Sequence, residues 1–194
     1  MDKRARIIEA AFELFDTQGY DAVSMRMIAQ AAGVSLGTPY SYFADKKAVF
    51  KEVLVLYAKE LKQAFSDEIE KILLKGGELE KLIYALILLL KRLMERHRFL
   101  QKDLIVLSLV DDEIRRLFAQ GEMASAGEII DLFLERLGNP LAIRDRQITK
   151  FLIHKGIDQI IEYLIFYEVP LDEKRVLREL ARMVSCYLRT PSEG

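Results

Sequence analysis

Between Ser24 and Lys47 the chain reads SMRMIAQAAGVSLGTPYSYFADKK, and its polar residues are of types that hydrogen-bond or pair with charge rather than react. Ser35, Thr38, Tyr40, Ser41 and Tyr42 supply hydroxyls, Arg26, Lys46 and Lys47 supply positive charge, and Leu36 and Gly37 place an apolar tip and bare backbone among them. That set suits a polyanion carrying a readable edge, because cations hold phosphate while hydroxyls and methyl-sized tips address base edges. Reactive constellations are missing: no nucleophilic triad, glycine-rich phosphate loop or paired cysteine motif occurs, so no catalytic residue and no cofactor is expected. His154 and Asp158, four apart on a helix, lack a third ligand, so no metal is expected either. His97 is isolated at a helix end and reads as solvated.

Elements must hold these groups in place. Ser24 can cap a short helix through its side-chain oxygen, Gly33 can end it in the left-handed conformation, and Ser35 can cap a second helix two residues later. Helix, tight turn and helix in so few residues is helix-turn-helix geometry, whose second helix enters a major groove. At about 100° per residue, Phe43 and Pro39 share the core side of that second helix, Ser35–Tyr42. Ser41, Gly37 and Thr38 lie opposite, with Leu36, Tyr40 and Tyr42 on the flanks. No Arg or Lys lies between Ser35 and Phe43, so the bidentate contact to guanine is not available. Base readout falls to Thr38, Tyr40 and Ser41, with Leu36 toward a thymine methyl. Arg26 reads as a phosphate contact or a solvated side chain, and Lys46 and Lys47, behind the cap residue Asp45, as cations awaiting a phosphate backbone.

Ahead of this stretch, Ile7, Ile8, Ala11, Phe12, Leu14 and Phe15 recur at helical spacing opposite Arg6, Glu9, Glu13 and Asp16, which predicts an amphipathic first helix ended by Gly19-Tyr20-Asp21. After it, a long helix runs through Val49, Phe50, Val53, Leu54 and Tyr57 to about Leu74, closed by Gly76-Gly77. Five more helices are predicted: Glu78 to about Arg96, Phe99–Val110, Asp111–Leu137 with a stop at Gly138-Asn139-Pro140, Arg144 to about Tyr167, and Asp172–Leu188. No strand alternation or repeat is present.

The 194 residues carry a net charge of −1. In the first 47, Lys3, Arg4, Arg6, Arg26, Lys46 and Lys47 are matched one for one by Asp2, Glu9, Glu13, Asp16, Asp21 and Asp45, so affinity for a polyanion depends on where charge is placed. The N-terminus lacks the apolar core of a signal peptide. Leu82–Leu90 is nine residues long where a membrane span needs about 20, so it reads as a buried helix segment and no membrane partner is expected. The single cysteine, Cys186, suits a reducing cytoplasm and reads as a small buried apolar residue.

The stretch SMRMIAQAAGVSLGTPYSYFADKKAVF resembles the DNA-binding signature of the TetR family of transcriptional regulators: a capped helix with Ile-Ala, then Ala-Gly-Val-Ser, a Gly two residues on, Tyr-x-Tyr-Phe, and a Lys at the next helix start. The departures are Met27, where the family often has an acid, and Pro39, where it often has a bulky apolar residue. The resemblance implies an all-α fold, with a three-helix helix-turn-helix domain (1–47) joined by a long helix to a helical effector-binding and dimerisation domain (48–190) and a frayed tail (191–194). It places Ser35, Leu36, Gly37, Thr38, Tyr40, Tyr42 and Lys46 at DNA-contact positions, Tyr42 and Lys46 mainly on phosphate.

It also implies a homodimer built on the last two helices, for which Phe151, Gly156, Ile157, Ile160, Ile161, Leu164, Leu177, Leu180, Val184 and Tyr187 are candidates. An effector pocket is implied among the middle helices, with Tyr57, Phe65, Tyr84, Leu88, Arg92, Phe99, Leu104 and Phe118 as candidates, Arg92 either anchoring an anion or simply exposed. The expected function is a repressor that binds a pseudo-palindromic double-stranded operator as a dimer and is released by a small, largely apolar effector. Two alternatives stand beside it: a DNA-binding regulator without an effector, and a helical ligand-binding or catalytic protein with a vestigial DNA motif.

Overall fold

Helix α1, Lys3–Gln18, ends where Gly19 takes φ +81°, a conformation few other residues tolerate. From there the computed structural model, which describes residues 2–137 and 145–189, is helical in all its regular structure. Helix α2 spans Met25–Ala31, a single 3₁₀ turn covers Pro39–Ser41, and α3 spans Lys46–Leu74. Then come α4 (Leu79–Arg96), α5 (Arg98–Val110), α6 (Asp112–Leu137), α7 (Arg146–Phe166) and α8 (Glu173–Arg189). These match the expected all-α class and, within a residue or three, the expected helix bounds, except at Ser35–Tyr42. The expected stop at Gly138-Asn139-Pro140, the start at Arg144 and the tail at 191–194 lie outside the described residues. Among the described residues no helix is long and apolar enough to cross a membrane.

The chain divides into two packing units, Met1–Glu60 with His97–Glu122, and Leu61–Arg96 with Met123–Gly194. The first is wider than the 1–47 motif, because α1 packs on α5 as well as on α2. Ile7, Phe15, Ile28, Val49, Phe50 and Leu100 are fully enclosed there. Phe15 meets Phe50 edge-on at 5.3 Å, so the apolar face read from α1 is the core of this unit. Two residues of the polar face are nevertheless drawn inward. Asp16 accepts from or shares a proton with His97 across 2.9 Å, and the His97 ring lies edge-on to Phe12 and Tyr57. His97 is therefore half-buried rather than solvated: the corner between α4 and α5 seats it against α1, which its position in the sequence does not reveal. Arg6 is the second, and its partners lie at the end of α2.

In the second unit α4 packs along α8 and touches α7, around Ile69, Ile87, Met94, Ile161, Leu177 and Leu188. One cation is enclosed with them. Lys91, 6% exposed, hydrogen-bonds Glu95 one turn on and lies 3.3 Å from Glu173 at the start of α8. Burial pulls its pKa down, but hydrogen bonds to Glu95 and Glu173 more than offset this, leaving it raised. A folded pKa above the unfolded one contributes stability that is fully present below the unfolded value and is lost as pH climbs through the folded value. Melting curves above about pH 10 should therefore fall more steeply for the wild type than for Lys91→Met; parallel curves would show that the ammonium contributes nothing there.

Candidate nucleic-acid interface

The Ser24 hydroxyl accepts the Met27 N–H at 3.3 Å and starts α2 as expected. Met25, Ile28 and Ala29 bury its inner face, while Arg26 is exposed and, among the described residues, has no ion pair. At the other end Gly33 has φ +62°. Here Arg6 of α1 does something that its place on a polar face did not announce: its guanidinium donates to the carbonyls of Ala32 and Gly33, the latter at 3.2 Å. A cation on the last carbonyls of a helix complements the helix dipole. The guanidinium lies 2.8 Å from where a Cβ at position 33 would stand, so a side chain there would have to move it, while φ already favours glycine.

Beyond Gly33 the structure corrects the sequence reading. Residues 35–42 do not form the expected helix capped by Ser35. The Thr38 N–H bonds the Ser35 carbonyl at 2.9 Å, the Ser35 and Thr38 hydroxyls bond each other at 2.7 Å, and only Pro39–Ser41 is helical, as a 3₁₀ turn. The physical reason is Pro39, which has no N–H to bond backwards and favours the first position of a turn, with Gly37 weakening helix just before it. The sidedness survives. Pro39 and Phe43 are buried; Leu36 and Tyr40 are 57% and 59% exposed, with Tyr42 and Ser41 exposed beside them and Thr38 half-buried. A side-chain carbon placed on Gly37 would meet nothing within 4 Å, so the backbone there is open to an approaching surface.

Asp45 caps α3 through the Ala48 N–H at 2.7 Å, as its sequence position implies. The two lysines behind it already have partners. Lys46 Nζ donates to the Tyr20 carbonyl at 2.7 Å and sits 4.1 Å from the centre of the Tyr20 ring. Lys47 Nζ bonds Asp111 at 2.9 Å and lies 3.6 Å from Glu113, which also holds Lys51. Its hydrogen bond and charge hold the Asp111 carboxyl below the usual range. Arg4 pairs with Glu52 at 2.7 Å and lies over the Phe43 ring.

The exposed hydroxyl-bearing turn and the capped short helix before it lie within a segment that matches known proteins. Residues 7–53 match the model of the bacterial regulatory proteins, tetR family. These residues carry the DNA-binding segment of that family. The chain is similar to YhgD of Bacillus subtilis, an uncharacterized HTH-type transcriptional regulator, at 31% identity over 45% of this chain and 46% of that one. To KstR of Mycolicibacterium smegmatis, an HTH-type transcriptional repressor, it is 27% identical over 66% of this chain and 56% of that one. The matched part thus spans about half the length of these curated relatives. In fold it is similar to FadR of Thermus thermophilus, a TetR-family repressor solved with lauroyl-CoA, with a TM-score of 0.67 at 22% identity, covering 98% of this chain and 99% of that one.

The other candidates implied by the resemblance belong to both units. Of the pocket set, Tyr57, Phe99, Leu104 and Phe118 fall in the first unit and Phe65, Tyr84, Leu88 and Arg92 in the second. Tyr57 is buried with its hydroxyl accepting from Gln101 at 2.6 Å, and Arg92 and Phe99 are exposed. Of the dimer set, Ile161, Leu177, Leu180 and Val184 are buried inside their own unit. They are core, not interface, because helical spacing shows which residues share a face but not which of two apolar faces turns inward. Ile157, Ile160 and Leu164 are half-buried, whereas Phe151 and Tyr187 are exposed and Gly156 has open space beside it. Cys186 is exposed as well, on the outer face of α8, contrary to its reading as a buried residue. Among the described residues no three His, Cys, Asp or Glu side chains cluster as a metal site.

Proposed function

We propose that this chain is a TetR-family regulator that binds double-stranded DNA as a homodimer in the cytoplasm, reads a pseudo-palindromic operator with residues 35–41 of each subunit, and represses transcription until a small, largely apolar effector releases it. The observation that carries the DNA reading is the turn itself: Leu36, Gly37, Tyr40 and Ser41 project from a backbone fixed by Gly33 and the Arg6 guanidinium, within the segment matching the family. Arg26 and Tyr42 flank it as phosphate contacts. With no cation on the reading face, base preference comes from Leu36 against thymine methyl groups and from hydroxyls, and affinity from backbone contacts and from pairing two subunits.

Selection of duplexes from a random pool tests this. Wild type should enrich a two-fold sequence with half-sites about 34–36 Å or a multiple apart. Thr38→Ala, Tyr40→Ala and Ser41→Ala should each lose discrimination at particular positions, by roughly 1–3 kcal/mol for a lost base contact. If all three keep the wild-type preference, the turn is not the reader. Release by an effector is supported by the apolar supply of α3 to α6 and by the acyl-CoA held on the same fold in FadR. Titrating the protein–duplex complex with lauroyl-CoA and a panel of apolar compounds should find one that weakens binding; a compound that raises the melting temperature yet leaves operator affinity unchanged at saturation favours a regulator that no effector releases.

A further inference from the structure

The turn between α1 and α2 is gripped from both sides. The Tyr20 N–H donates to Asp103 of α5 at 2.5 Å, and the Tyr20 carbonyl accepts from Lys46 at the start of α3 at 2.7 Å. That carbonyl also accepts the Val23 N–H at 3.3 Å, the bond that turns the chain into α2. The Tyr20 ring is fixed against Phe15 and Phe50, with the Lys46 ammonium over its face. Gly19 belongs to the same grip: a side-chain carbon there would stand 3.4 Å from the Asp103 carboxylate. One residue's backbone therefore joins α5, α3 and the entry to α2, the helix that carries Arg26 and packs on the reading turn.

We infer that Lys46 and Asp103 are positioning residues that clamp the Tyr20 backbone and thereby set the placement of α2 and the reading turn, and that Lys46 serves DNA binding through this clamp rather than as a phosphate ligand. Its ammonium is held by a carbonyl and an aromatic face, both inside the first unit. Asp103 is the informative partner. Its carboxylate is half-buried and negative, so a direct role on DNA would be repulsive, and burial raises its pKa, which makes a neutral amide a fitting substitute for the acceptor.

The clamp's role rests on the DNA-binding reading, and one set of measurements separates the two. A fluorescein-labelled duplex that the wild-type chain selects from a random pool is titrated across a salt series with Lys46→Met, Asp103→Ala, Asp103→Asn and the Lys46→Met/Asp103→Ala double variant. A phosphate ligand, when removed, makes the slope of log affinity against log salt shallower by about 0.9. Clamp residues instead lower affinity, by about tenfold for a lost charge-assisted bond, and leave the slope unchanged. Asp103→Ala should weaken binding although it removes a negative charge, Asp103→Asn should restore it, and the double variant should lose less than the product of the single losses.

Hydrogen exchange at the Tyr20 amide, read without DNA, should accelerate in Lys46→Met and Asp103→Ala but not in Asp103→Asn. A shallower slope for Lys46→Met, unchanged or tighter binding by Asp103→Ala, or unchanged Tyr20 exchange overturns the clamp while leaving DNA binding intact. Failure of the wild type to select any duplex overturns the DNA reading, and the clamp's role in it, at the outset.

Discussion

Phe151→Asp combined with Leu152→Asp is expected to give a folded monomer that has lost operator binding by about 10²–10⁴-fold, the advantage that linking two binding modules confers. The two faces of α7 differ in what they already touch. Thr149, Ile153 and Ile161 are among the residues by which α7 packs into its own unit. On its other side Ile148, Phe151, Leu152, Tyr163 and Tyr167 are exposed, with Tyr163 and Tyr167 stacked at 4.7 Å. A Cβ placed on Gly156 of the same helix would meet no atom within 4 Å, which leaves room for another helix to cross closely. Met183 and Tyr187, one turn apart on α8, are exposed as well. A row of large apolar side chains on one helix face is a surface that association would cover. Burying charge there without a partner is costly, so the two aspartates should act on assembly while the inner face keeps the fold. Sedimentation and fluorescence anisotropy on the selected duplex check both halves: a variant that remains dimeric, or a monomer that binds like wild type, rejects this interface.

Gly33→Val is expected to be the most damaging single change in the DNA-binding unit. A β-branched residue at φ +62° costs about 1–2 kcal/mol in backbone strain. The new Cβ would also displace the Arg6 guanidinium, 2.8 Å away, from the carbonyls of Ala32 and Gly33, and bonds to a charged donor contribute about 1.5–3 kcal/mol. Together these amount to roughly 3 kcal/mol, which at about 2–4 °C per kcal/mol for a chain of this size lowers the melting temperature by around ten degrees. Gly37→Ala is the matched control. Its side chain meets nothing and its φ lies outside the left-handed region, so stability should hold while operator affinity falls if the DNA backbone or a base edge approaches there. Equal melting temperatures for Gly33→Val and wild type would show that Arg6 and the turn are not coupled.

Most of the helix order could be read along the chain, because it is written in local terms: apolar periodicity for α1 and α3 to α8, hydroxyl and carboxyl caps at Ser24 and Asp45, and left-handed glycines at 19, 33, 76 and 77. The family signature, too, is a local string. What could not be read were the destinations of long side chains. Arg6, Asp16, Lys46, Lys47 and His97 read from the sequence as facing solvent or DNA, and Lys91 and Asp103 gave no signal, yet each finds a partner inside the protein. For Arg6 the partners lie 26 and 27 residues away, and for Asp103 the partner lies 83 residues away.

By itself, then, the sequence determined the helical class, the bounds of nearly every helix, the turn at Gly33 and the sidedness of residues 35–43, since each depends on neighbours within a turn or two. The 3₁₀ turn in place of the expected helix is local as well, fixed by Pro39 and the hydroxyl bond between Ser35 and Thr38. Tertiary structure alone decided two things. It chose which apolar face of α7 and α8 became core and which was left outward. And it gave the cations behind Asp45 partners inside the protein, a carbonyl and a ring from Tyr20 for Lys46 and two acids of the α5–α6 corner for Lys47.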